Sequence, residues 1–223
     1  MEKKIVKISK VEPVTHNVKR FTLGRPAGIE FISGQAADVS INKPNWDNEK
    51  RPFTFTSLGD SDFLEFTIKI YNDHHGVTEQ LGKLVAGDEI IIHDVFGTIL
   101  YKDEGTFIAG GAGITPFISI FRQLQKDKRL GANSLIFANQ TTKDIIMREE
   151  FEEMLGDRFI NIIEKEKTDR YYNGMISPDF LKKTVKDLSR YFYICGPDPM
   201  VEAIKKMLLE LGTPEAKIVI EQF

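Results

Sequence analysis

The chain has 223 residues, enough for one large domain or two small ones that each bury a core. Hydrophobic residues make up 41% and charged residues 28%, the mixture of an ordinary soluble globular protein, and a net charge of −3 gives no overall pull toward nucleic acid or an anionic membrane. A single cysteine, Cys195, excludes an intrachain disulfide and a cysteine-ligated iron–sulfur cluster, and the four histidines lack the spacing of a closed zinc site, so no metal is expected.

No apolar run approaches the roughly 20 residues needed to cross a bilayer, and the basic start MEKKIVKISKVEP lacks the apolar stretch of a signal peptide. A reducing, cytoplasmic location is expected. From Met1 to about Lys102 the pattern is mainly two-residue alternation. Ala37, Val39 and Ile41 oppose Asp38, Ser40 and Asn42; Leu64, Phe66, Ile68 and Ile70 oppose Glu65, Thr67 and Lys69. Half-buried antiparallel strands follow from that period. Turn signals at Gly24 to Gly28, Ser33 to Gln35, Asn42 to Asn48 and Gly59 to Asp62, with one short helix around Val77 to Leu84, predict a small closed β-barrel over residues 1–102.

After Gly105 apolar runs at Phe107, Leu135, Phe159, Tyr191 and Ile218 alternate with amphipathic stretches, which predicts an α/β unit with a parallel sheet and crossover helices over residues 103–223. Ser177 supplies a cap, with Pro178 and Asp179 in the first turn of a helix; Gly212 ends the helix that begins near Pro199.

The stretch FIAGGAGITP, Phe107 to Pro116, carries the chemistry. Its apolar run is too short for a helix and suits a buried strand, while Ile114, Phe117, Ile118, Phe121 and Leu124 recur at helical spacing. A glycine-rich turn between strand and helix leaves N–H groups free at the positive end of the helix dipole, so it reads as a diphosphate site, with Gly110, Gly111 and Gly113 keeping the space open. A tight corner is the competing reading, and the spacing differs from GxGxxG. A second such turn, CGPDPM from Cys195 to Met200, also precedes a helix. In an open parallel sheet both turns emerge beyond the carboxyl ends of the strands, where ligands bind. Cys195 there is either a polarizable contact for a reactive ring or a small buried residue ending its strand.

Five stretches in this order resemble the ferredoxin-NADP reductase superfamily, over nearly the whole chain. Arg51 to Thr54 (RPFT) resembles its flavin motif, and Thr67 to Tyr71 (TIKIY) its next flavin strand. Gly110 to Pro116 and Cys195 to Met200 resemble its two nicotinamide motifs, and Glu221 to Phe223 its acidic-aromatic ending. FIAGGAGITP followed by FANQTTKDIIMREEFEEM looks most like the NADH-cytochrome reductases and the flavin domains of nitrate reductases.

The resemblance implies an NAD(P)H-dependent flavoprotein reductase with FAD as default cofactor and FMN as the less favoured one. Arg51 would then hold flavin phosphates through its forked donors, while Pro52 and Phe53 lie against the isoalloxazine and Thr54 meets the nitrogen that accepts hydride. Ile68, Lys69, Ile70 and Tyr71 would line the flavin, and Gly76, Val77 and Thr78 its diphosphate; His75 stands where the family often has glycine. Gly111, Gly113, Thr115 and Pro116, with Cys195, Gly196, Asp198 and Met200, would hold NADH or NADPH. Glu221 would orient Thr54 or feed protons, and Phe223 would cover the flavin. Thr54, Cys195 and Glu221 are the catalytic candidates.

Hydride transfer needs two flat rings face to face, so the active site should be the interface between the two units. Single electrons would leave to a separate protein carrier such as flavodoxin, ferredoxin or a cytochrome, steered by the basic end Lys3, Lys4, Lys7, Lys10, Lys19 and Arg20 if that face is not merely solvated. EKEK at Glu164 to Lys167 offers both an acid for a free ribose and a base for a 2′-phosphate, and the resemblance tips the choice toward NADH. The alternatives are a reductase of free flavin, which the unusual His75 fits, and a non-catalytic nucleotide-binding subunit.

Overall fold

The computed structural model describes residues 3–73, 75–97 and 99–221. Six strands form the first sheet: β1 (Lys4–Thr15), β2 (Val18–Gly24), β3 (Ala36–Ile41), β4 (Arg51–Thr54), β5 (Phe63–Lys69) and β6 (Glu89–Phe96), in the order β4-β3-β6-β1-β2-β5. All its named pairs are antiparallel. An antiparallel bridge between Phe55 and Phe66 joins the two ends, so the expected barrel closes. Closure leaves no open edge for another chain to pair with.

The long β1 makes this possible by serving two neighbours. Lys4 to Lys7 pair with β6, and Ile8 to Thr15 pair with β2, with register breaks at Ile8/Lys10 and Pro13/Thr15. Such irregularities bend a strand and raise its twist. Inside, Phe21, Phe31, Phe55 and Phe66 are buried, with the rings of Phe31 and Phe55 stacked at 4.0 Å. One short helix, α1 (Val77–Leu81), buries Val77 and Leu81 against this core.

The second sheet comprises β7 (Gly105–Gly110), β8 (Ser134–Asn139), β9 (Phe159–Ile163), β10 (Tyr172–Asn173), β11 (Tyr191–Cys195) and β12 (Ile218–Ile220) in the order β10-β9-β8-β7-β11-β12. It is parallel throughout. Helices α2 (Thr115–Lys126) and α3 (Arg148–Leu155) cover one face, and α4 (Pro178–Thr184) and α5 (Asp198–Glu210) cover the other. Alternate residues of each strand therefore belong to different cores: Phe107 and Ala109 meet α2, while Ile108 meets α5.

The chain runs outward from β7 to β10, then returns to place β11 on β7's other side. That reversal makes a topological switch point between β7 and β11, and a crevice opens beyond their carboxyl ends. Helix ends follow the sequence signals closely. Ser177 Oγ accepts the Phe180 N–H at 3.2 Å, and Gly212 follows α5 with φ of +96°. Among the described residues no helix is long and apolar enough to cross a membrane.

Candidate active site

The crevice at the switch point is a cavity of about 930 Å³ lined by both sheets. That volume is at the upper end of the roughly 300–1,000 Å³ of small-molecule sites. From the barrel come Pro52, Phe53, Thr54, Thr67, Ile68, Lys69, Tyr71 and Thr78. Thr54 is buried to 8% exposure, and among the described residues its hydroxyl meets no hydrogen-bond partner. It therefore retains a donor and an acceptor for a ligand.

From the second sheet come the two glycine-rich turns. After β7 the chain makes a four-residue 3-10 turn, Gly111–Ile114, before α2 begins, a step the sequence pattern does not announce. Gly111 has φ of +51°, and a Cβ there would meet nothing within 4 Å, so this residue gives the turn its handedness and faces open space. Gly113 acts differently. A Cβ on Gly113 would lie 2.3 Å from the Cys195 carbonyl oxygen and 2.6 Å from Gly196 Cα. The two turns pack backbone against backbone, so Gly113 is required by loop-to-loop contact and not, as expected, only to leave room for phosphate.

Behind Gly113, Cys195 is buried and lines the cavity. Its Sγ donates to Glu221 Oε2 at 3.5 Å, and Glu221 Oε1 is buried without a partner. Burial pushes the thiol well above its ordinary range, and the neighbouring Glu221 adds to the effect. Burial likewise raises the Glu221 carboxyl. The pair lies between β11 and the end of β12, on the cavity wall. Glu221 is expected to orient Thr54 or to feed protons near the flavin; its hydrogen bond here is with Cys195, because β12 lies beside β11 in the sheet and brings the two side chains together.

The raised Glu221 carboxyl has a consequence for stability. Below its ordinary value of 4.5 both folded and unfolded chains hold the proton; above it the unfolded chain releases the proton first, so stability falls as pH rises toward the folded value. Glu221→Gln, which carries no charge, should flatten that part of the profile. Thermal melts of both proteins from pH 4 to 8 check this: the variant should gain on the wild type as pH rises, and parallel profiles would refute the raised carboxyl.

Other sequence-predicted residues lie around the cavity without lining it. Pro116, Ile70 and Val77 are buried behind the wall, Gly76 caps α1, and Asp198 is exposed at the start of α5. Arg51 is half exposed, with its guanidinium donating to the Lys50 carbonyl at 2.6 Å and 3.9 Å from Glu49. Phe223 falls outside the described residues. Glu164, singled out with its EKEK stretch, follows β9 and lines the cavity; sequence reasoning missed Asn139, the last residue of β8, Gln140 just after it, and Met175, Ile176 and Met207, which give the far end an apolar lining. The signal was available for Gln140, which follows β8 as the glycine turn follows β7.

Two domain families match the chain consecutively. Residues 5–101 match the oxidoreductase FAD-binding domain and residues 107–206 the oxidoreductase NAD-binding domain. NADH-cytochrome b5 reductase 1 of Coccidioides immitis is 30% identical across 92% of this chain and 74% of the relative. The chain belongs to the FAD- and NAD-binding oxidoreductases that include the NADH-cytochrome b5 reductases. NADH-cytochrome b5 reductase 2 of Mus musculus is 27% identical over 89% of the chain and 87% of its own length. A ferredoxin NADP+ reductase from Neisseria gonorrhoeae, solved with bound FAD and NADP, superposes with a TM-score of 0.84 at 21% identity over 99% of this chain and 98% of that one. Family membership makes the chain a flavoprotein oxidoreductase that takes FAD and a nicotinamide nucleotide, and the cavity fits both: its volume, the partnerless Thr54 hydroxyl and the open space at Gly111 all leave room for them.

Proposed function

We propose that the chain is an NADH-dependent reductase that passes electrons from bound FAD, one at a time, to a separate protein carrier of the cytochrome, ferredoxin or flavodoxin class. The observation that carries this reading is that the barrel wall bearing Phe53 and Thr54 and the turns bearing Gly113 and Cys195 bound one cavity. Bound FAD supplies a ring that takes two electrons with a hydride and releases them singly. Phe53 would hold that ring by its face, Thr54 would offer its hydroxyl to the ring nitrogen, and Thr78 would meet the diphosphate; all three line the cavity. Thr115 and Gly111 would receive the nicotinamide nucleotide, with Cys195 on the wall its ring would meet. The Cys195–Glu221 pair places a thiol and a carboxyl on that wall, joined by a hydrogen bond.

Glu164 supports NADH over NADPH. It lines the cavity, and a carboxylate suits a ribose hydroxyl and opposes a 2′-phosphate. The neighbouring cation is occupied, since Lys165 Nζ donates to Gln140 Oε1 at 3.3 Å. The basic end of the barrel is weaker as a steering surface than its sequence suggests. Lys10 and Arg20 pair with Glu12, and Lys19 Nζ donates to the Gly82 carbonyl at 2.6 Å.

The test is the visible spectrum of the purified protein without oxygen, with NADH and NADPH added separately. Rapid bleaching by NADH, followed by reoxidation with cytochrome b5, ferredoxin or flavodoxin, is the expected result. A protein that stays colourless and inert after FAD and FMN are added sinks the reading. Turnover only with excess free flavin would favour a free-flavin reductase, for which one observation speaks. His75 adopts φ of +48° with its side chain in solvent and its Nδ1 3.2 Å from Glu79. A left-handed backbone costs a non-glycine residue about 1 kcal/mol. His75→Gly also removes the side chain and should let the backbone come closer to the FAD diphosphate, tightening FAD retention as read by equilibrium dialysis; unchanged retention means the histidine does not govern flavin affinity.

A further inference from the structure

One face of α2 is pinned to the barrel at three consecutive turns. The Gly34 N–H donates to Ser119 Oγ at 3.1 Å, Arg122 meets the barrel one turn on, and Lys126 pairs with Asp60 one turn further. Arg122 makes the central attachment. Its Nη1 donates to the Thr56 carbonyl at 2.8 Å and to Glu65 Oε1 at 2.7 Å, while Nε and Nη2 hold the two oxygens of Glu150 on α3 at 2.5 and 2.9 Å. A planar guanidinium with five fixed donors can serve two carboxylates and a carbonyl together, whereas an ammonium cannot match that fork.

The connection continues into the cavity wall. Thr56 Oγ1 donates to Glu65 Oε1 at 2.7 Å and lies 3.2 Å from Thr67 Oγ1, and Thr67 lines the cavity. Glu65, Thr56 and Thr67 are all buried. At its other end, α2 starts at Thr115, also on the cavity wall, about 10 Å from Arg122 at the rise of an α-helix. Arg122 thus ties the rod that carries the nucleotide turn to the strands that carry the flavin wall.

We propose that Arg122 is a positioning residue for hydride transfer, fixing the gap between the two walls of the cavity through Glu65 and Glu150. The inference rests on the reductase reading above. Removing Arg122 alone strands the buried Glu65 carboxylate and should destabilise the fold, so its part in registry is read from the rate of the folded protein. A misplacement of about 1 Å between reacting groups costs on the order of a hundredfold in rate.

The experiment is anaerobic stopped-flow bleaching of the FAD-bound protein by NADH for the wild type, Arg122→Met and Arg122→Lys. Arg122→Met should lower the limiting rate at saturating NADH by about tenfold to a hundredfold, and Arg122→Lys by about threefold to tenfold. The half-saturating NADH concentration and the flavin spectrum should move by less than about twofold. With NADH deuterated at the transferred hydrogen, the isotope effect in Arg122→Met should be at least as large as in the wild type, marking the hydride step as the one slowed. An unchanged limiting rate, with or without a lower melting temperature, overturns the proposal. Where Arg122→Met fails to fold, Glu150→Gln decides: it keeps the barrel contacts and should slow bleaching about threefold, and no slowing refutes the role. A wild-type protein that NADH does not bleach overturns the reductase reading, and this inference with it.

Discussion

Gly113→Ala should leave the protein yellow and slow its bleaching by NADH about a hundredfold. The added Cβ would sit 2.3 Å from the Cys195 carbonyl oxygen, 2.5 Å from the carbonyl carbon and 2.6 Å from Gly196 Cα. All three are backbone atoms, so no rotamer change relieves the contact. The turns must separate by about 1 Å to reach ordinary van der Waals distance. That displacement moves Cys195 away from the turn that leads to Thr115, on opposite sides of the site where the nicotinamide is proposed to lie. Phe53 and Thr54 stand on β4 and are untouched, so the flavin spectrum should hold. Gly111→Ala differs: its Cβ meets no protein atom but enters the space proposed for the nucleotide, so it should raise the half-saturating NADH concentration, and the strain at φ of +51° should cost about 1–2 kcal/mol of stability. Equal bleaching by the wild type and Gly113→Ala would show that contact between the two turns does not set the geometry of the site.

The architecture was legible because burial imposes a period. Ala37, Val39 and Ile41 are all buried, and the parallel strands, packed on both faces, read as continuous apolar runs. The same rule hid Arg122 and Glu65. Glu65 alternates with Leu64 and Phe66, and a polar residue at that position reads as solvent-facing; in the fold α2 covers it, leaving it 6% exposed. Which polar positions are covered depends on how the two sheets pack, and no local period carries that information. Cys195 was placed at the cavity by its turn, but its partner was not. Glu221 lies 26 residues away and reaches it only because β12 adds to the sheet beside β11. The two-residue β10 is too short to show any period at all.

Tyr193→Ala should cost about 3–5 kcal/mol, a large share of the roughly 5–15 kcal/mol by which proteins of this kind are stable. The side chain is fully buried in β11, its ring stacked on Phe107 at 4.3 Å and near Tyr101 at 6.0 Å. Its hydroxyl has a separate task in the segment between the two sheets. It accepts the N–H groups of Lys102 and Asp103 at 2.9 and 3.0 Å and donates to the Asp103 carbonyl at 2.7 Å. Tyr193→Phe keeps the ring and removes all three bonds. Each stranded backbone group costs about 1 kcal/mol or more, less where water reaches it, so the net loss should be about 2 kcal/mol. The form of the melt distinguishes the two tasks. In the wild type, backbone circular dichroism and release of flavin fluorescence should fall on one transition, since the segment is bound into the second core. In Tyr193→Phe the segment is freed, and the barrel and the α/β unit should lose their common transition, splitting the two signals. Coincident curves in the phenylalanine variant would mean that α2, through Ser119, Arg122 and Lys126, couples the two units without help from the segment that joins them.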